Sequence, residues 1–118
     1  MKQKQPSGDC YLVAYEHLQK VEDAIARNGL PTRPLALIHG SVVPSTGQES
    51  GVQVDHAWVE YGERVLDVSN GNRLDCTKSD YESQFHAVAR NRYSPEEATW
   101  ANTQSGHYGP WETEAEDN

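Results

Sequence analysis

DHAWVEYGERVLDVSNG, residues 55–71, has the pattern of a β-hairpin: two arms rich in β-branched and aromatic residues meet at Gly62-Glu63. The arms are not wholly apolar, because His56 lies on the first and Asp67 on the second. A two-residue turn at Gly62-Glu63 sets Tyr61 opposite Arg64, Glu60 opposite Val65, Trp58 opposite Asp67 and His56 opposite Ser69. Side chains alternate along a strand and paired residues share a face, so His56, Trp58 and Glu60 project with Asp67 and Ser69. His56 and Asp67 then stand as diagonal neighbours, roughly 7 Å apart between α-carbons and within reach of a hydrogen bond. A three-residue loop shifts the pairing by one, brings Asn70 opposite His56 and turns Asp67 away. Asp67 is therefore the first choice as partner of the imidazole, and Asn70 is the reserve.

A histidine held by a carboxylate or amide has a fixed tautomer and a stabilised cationic form. That arrangement has chemical use when a nucleophile or proton donor lies on the other side of the ring. Cys10 is the natural candidate. From Tyr11 the chain is helical by periodicity, with Tyr11, Ala14, Tyr15, Leu18, Val21 and Ile25 at three- and four-residue spacing. Ser7 or Asp9 serves as N-cap, Gly29 marks the C-terminal end and Pro31 stops any continuation. Either cap puts Cys10 in the first helical turn. A sulfur there meets the positive end of the helix dipole and unpaired N–H groups, which favour a thiolate and can stabilise an oxyanion. The start of this helix must then pack against the His56 face of the hairpin.

The remaining elements follow from local signals. Leu35–Val43 reads as a strand, and PSTGQESG, residues 44–51, as a polar loop. SNGNRLDCTKSD, residues 69–80, is turn-rich, and DYESQFHAVAR, residues 80–90, has helical spacing at Tyr81, Phe85 and Val88. Ser94, Pro95 and Glu97 form a capping-box start for a further helix that ends before Gly106. GHYGPW, residues 106–111, is an aromatic loop, and the acidic tail completes the chain. The expected fold is α+β in a single domain over residues 1–118, with an N-terminal helix carrying Cys10 packed on a small antiparallel sheet. Residues 1–7 and 112–118 are expected to be flexible.

The formal net charge is −8, with 18 acidic residues against 10 basic ones, so neither a nucleic acid nor an anionic membrane is an expected partner. The one small basic stretch is ARNRY, residues 89–93. No signal-peptide segment is visible in the opening residues, and no apolar run approaches the ~18 residues of a membrane span. Two cysteines, Cys10 and Cys76, do not make a disulfide framework, and the expected setting is cytoplasmic with reduced thiols. No cofactor is implied. Cys10, His56, Asp67 and His107 form the best zinc alternative, but CxxC, HExxH and close-spaced histidine pairs are missing from the sequence.

A cysteine at the start of an early helix, then HAWVE on a strand, then Asp67 on the next strand resembles the papain-like superfamily, with its transglutaminase-like branch closest. GDCYLVAYEHL resembles the cysteine-helix element, HAWVE the histidine strand and RVLDVS the aspartate strand, in the order Cys, His, Asp. The resemblance covers residues 8–70. It implies Cys10 as nucleophile, His56 as general base and acid, and Asp67 as orienter, in a papain/transglutaminase-like core. Families of this kind cleave, deamidate or cross-link amides through a thioester. They often place a glutamine shortly before the cysteine, and Gln5 is the candidate for that place. The chain is far shorter than eukaryotic transglutaminases, and the segment after Asp75 has no assigned counterpart.

The implied substrate is a protein, a peptide or a small amide. Trp58, His39, His107, Tyr108 and Trp111 are candidates to line its cleft, although Trp58 suits the core and the GHYGPW segment suits a packed C-terminal cap. Glu60 is expected as a solvated strand-end residue, His17 and His86 as surface groups, and Cys76 as incidental. A non-catalytic binding module on the same fold is the alternative to an enzyme, and a small zinc-binding domain is the third.

Overall fold

The computed structural model of the chain describes residues 6–44, 51–68, 73–109 and 111. Asn70 and Gln5 lie outside the described residues, as do most of the 44–51 loop and the acidic tail. The elements are α1 (Pro6–Arg27), β1 (Leu35–Val42), β2 (Val54–Tyr61), β3 (Arg64–Asp67), β4 (Leu74–Thr77), α2 (Lys78–Phe85), β5 (Val88–Tyr93) and α3 (Pro95–Ser105). The strands form one sheet in the order β4-β3-β2-β1-β5, and every neighbouring pair is antiparallel. The α+β expectation holds.

The hairpin register is the one that a two-residue turn dictates. Tyr61 pairs with Arg64, Glu60 with Val65 and Val59 with Leu66. Gly62 holds φ 61 and Glu63 does not share that sign, the pattern of a turn with glycine at its first central position. The alternation of β2 then sorts the core into two layers. Ala57 and Val59 pack with Leu37 against Cys10, Tyr11, Ala14, Tyr15 and Leu18 of α1 and Ala98 of α3. Trp58 packs with Ile38 and Val65 against Tyr81 of α2, on the opposite face. Each large apolar side chain buried in these layers contributes about 1.5–3 kcal/mol relative to exposure.

Several boundaries differ from expectation, each for a local reason. α1 begins at Pro6 rather than after Ser7 or Asp9, because proline suits the first helical position, where an N–H has no partner to lose. Cys10 is therefore the fifth helical residue, beyond the first turn, and its own N–H is not one of the unpaired groups at the helix end. LDCT, within the turn-rich stretch, is strand β4, paired residue by residue from Asp67–Leu74 to Arg64–Thr77. The expected helix over residues 80–90 is instead α2 followed by β5. It stops because His86 takes a left-handed φ of 51 and the Phe85 carbonyl accepts from Val43 N–H at 2.7 Å. Val88 consequently lies exposed on a strand rather than beside Tyr81 and Phe85.

α3 has the capping box read from its sequence: Ser94 Oγ accepts from Glu97 N–H at 3.1 Å, and Glu97 Oε1 accepts from Ser94 N–H at 2.9 Å. The ARNRY stretch is β5, and its charges are matched, Arg90 by Asp55 and Arg92 by Glu60. Glu60 is thus a buried carboxylate and not a solvated strand end, held also by Lys78 at 3.5 Å.

β5 joins β1 with a register shift between His39 and Gly40. A β-carbon at Gly40 would come to 2.0 Å from the Val88 carbonyl oxygen, so this approach of two backbones requires glycine. Gly40→Ala should cost about 1–3 kcal/mol. Urea denaturation monitored by circular dichroism checks this: the midpoint should fall without a change in slope, whereas an unchanged midpoint means that β5 does not hold this position.

Candidate functional site

His56 sits on β2 opposite Gly40, beyond the Val59–Tyr61 stretch that pairs with β3. Its Nε2 lies 2.9 Å from Asp67 Oδ2, and both side chains are buried. The same carboxylate oxygen accepts the Tyr81 hydroxyl at 2.7 Å. An ionised carboxylate only accepts, so Nε2 carries a proton, and the other ring nitrogen is left for a second partner. That partner is Cys10, whose side chain hydrogen-bonds the imidazole. The three residues singled out from the sequence are therefore brought together.

They do not meet as expected, however. α1 does not lie on the His56–Trp58–Glu60 face; it covers Ala57 and Val59 on the other side of β2. The group draws the thiol from the layer on one face of the sheet. Tyr81, the second donor to Asp67, comes from the layer on the opposite face.

The electrostatics of the imidazole follow from these contacts. Burial alone pushes its pKa down, but the hydrogen bonds to Asp67 and Cys10 and the attraction of both groups outweigh burial and hold it up at about 9. Trp58 packs its ring 6.1 Å from the His56 ring and 5.2 Å from that of Tyr81, so it walls the site from within. Trp58 is buried in the core and does not line an open cleft.

The other cleft candidates are also placed elsewhere. His39 pairs with Ala57 rather than with His56, so it projects into the α1 layer. There Tyr11, Trp111 and Tyr93 surround it with ring centroids at 4.7, 5.0 and 5.1 Å. Burial pushes its pKa down to about 4. Gly109 and Trp111 close over this cluster as a cap. The exposed His107 offers its carbonyl to Asn102, Ser105 and the Trp111 indole N–H, and Tyr108 packs against Tyr15. A β-carbon on Gly109 would come to 2.6 Å from His39 Cε1, which measures how closely this cap fits. Trp111 is buried as the centre of the cap, and His107 and Tyr108 are exposed beside it.

Tyr81 was not singled out as a site residue. Its only sequence signal is that a tyrosine on the inner side of a short helix needs an acceptor for its hydroxyl. His17, expected at the surface, is half-buried; with Ala57, Leu66 and Asp67 it lines a depression too narrow for a water molecule. Cys76 is a free thiol on β4, partly covered and packed in the Trp58 layer. Burial pushes its pKa up, and the charge of Asp80 adds to that effect. A cleft of about 620 Å³ opens at the far end of β2, bordered by Arg33, Glu60, Lys78 and Arg92. Among the described residues no three His, Cys, Asp or Glu side chains are grouped so as to hold a metal ion. No helix among them is long and apolar enough to cross a membrane.

Comparison of the chain with family models, with curated proteins and with solved structures found no match.

A histidine with a raised pKa stabilises the fold while it is protonated. This contribution is fully present below the ordinary value of 6.5 and is lost as pH rises through about 9. Denaturant stability of the wild type should therefore decline over that interval, and Asp67→Asn should flatten the decline. A parallel decline in both proteins would mean that Asp67 does not hold the imidazolium.

Proposed function

We propose that the chain is a thiol-dependent enzyme that acts on amide or peptide bonds, with the papain/transglutaminase-like arrangement that its HAWVE and Asp67 strands resemble. The observation that carries this reading is one imidazole held between the Cys10 thiol and the Asp67 carboxylate. In the attack, Cys10 Sγ bonds to the carbonyl carbon. The thiol proton already rests on His56, whose cationic ring Asp67 and Cys10 stabilise, and the imidazolium passes it to the departing amine as the C–N bond breaks. A thioester remains. Water or a second amine, deprotonated by His56, attacks that thioester and releases the thiolate, and the proton stays on the imidazolium. Asp67 keeps the ring oriented and balances its charge throughout. Peptidase, deamidase and transferase activity share these steps and differ in the leaving and attacking groups.

A non-catalytic binding module on the same fold is favoured by one observation: Cys10 is 1% exposed, so a carbonyl reaches it only when the surrounding packing opens. In that case the buried hydrogen bonds would serve structure alone.

Alkylation separates the two. In a Cys76→Ser background, iodoacetamide should modify Cys10 at neutral pH, and His56→Ala should slow the reaction at least about tenfold. Equal rates with and without His56, in variants of matched stability, would sink the enzyme reading.

A further inference from the structure

Asp67 Oδ2 accepts two hydrogen bonds, from His56 Nε2 at 2.9 Å and from the Tyr81 hydroxyl at 2.7 Å, and the chemistry above uses only the first. Tyr81 is 1% exposed, and its ring is held between Trp58 and Phe85 at 5.2 and 5.1 Å. Burial pushes the phenol pKa up, and the neighbouring Asp67 charge pushes it further, so the hydroxyl remains a donor. We propose that Tyr81 is a positioning residue of the Cys10–His56–Asp67 site: its hydroxyl fixes the Asp67 carboxylate and withdraws part of its charge, and so sets how tightly the imidazolium is held. The proposal rests on the reading of these three residues as a reactive unit.

Both donors converge on one oxygen, so they compete for the same electron density. A carboxylate with His56 as its only donor would hold the imidazolium more strongly. An imidazolium held too strongly is a poor acid toward a departing amine, because transfer is most effective when the acid's pKa lies near the working pH. Tyr81 also ties Asp67 to α2, so the orienting group is anchored from the layer that does not carry the thiol.

The test is titration of the His56 ring protons by NMR in the wild type, Tyr81→Phe, Asp67→Asn and the double variant. Phenylalanine keeps the ring packing and removes only the hydroxyl. The His56 midpoint should rise by about half a pH unit or more in Tyr81→Phe, and this shift should vanish in the Asp67→Asn background. If Tyr81→Phe does not fold, a fluorinated tyrosine placed at position 81, a stronger donor of the same shape, should lower the midpoint. An unchanged or lowered midpoint in Tyr81→Phe, or a shift that persists without Asp67, overturns the proposal. A purely structural tyrosine would change the unfolding transition without moving the midpoint. This titration does not depend on activity, so the two readings fail separately. Alkylation that depends on His56 with no Tyr81 effect removes only the positioning role. A Tyr81 shift with His56-independent alkylation removes the enzyme reading and, with it, the positioning role in a reactive unit.

Discussion

A carboxylate buried in a small protein is costly unless donors surround it, and Asp67 is the group on which the rest of this architecture turns. Its side chain is 4% exposed, and its Oδ2 receives an imidazole from β2 and a phenol from α2. Those two donors require β2, β3 and α2 to stand in one relation to each other. The imidazole in turn reaches Cys10, which brings the start of α1 to the same place. Removing the acceptor would leave two buried donors without their partner, a larger penalty than the net value of either bond. The polar cluster therefore specifies the packing of its neighbours as much as the apolar core does.

The register of one turn decides whether that cluster exists. Because side chains alternate with period two, a slip of one residue at Gly62-Glu63 would send Asp67 to the α1 face and replace Val65 beneath Trp58. Glycine at the first turn position, with φ 61, is the local feature that prevents the slip. This part of the molecule was legible in the sequence, since two arms, a glycine and the period of a strand suffice to pair His56 with Asp67. The capping box at Ser94 was legible for the same reason, because its donors and acceptors lie within one turn of each other.

What was not legible depends on partners distant in the chain. LDCT became β4 because β3 had an open edge, which nothing within residues 69–80 reveals. α2 ended at Phe85 because the Val43 N–H claims its carbonyl. Glu60 reads as a strand-end charge until Arg92 and Lys78 arrive from other elements. The bond from Tyr81 to Asp67 joins a helix to a strand end and has no short-range signature. His39 was placed in a cleft by its position beside β2, and only its direct pairing with Ala57 assigns it to the aromatic cap. The face that α1 covers is likewise hidden, because the helical pattern says which side of α1 is apolar and not which side of the sheet receives it.

The distribution of the polar cluster over both faces of the sheet has a consequence for how the molecule comes into being. Cys10 arrives with one layer and Tyr81 with the other, and His56 and Asp67 lie on strands between them. The four groups meet only when α1, β2, β3 and α2 are all in place. Local opening of either layer therefore breaks the hydrogen-bonded chain from thiol to phenol. Any chemistry that depends on all four groups would therefore need both layers packed on the sheet at once.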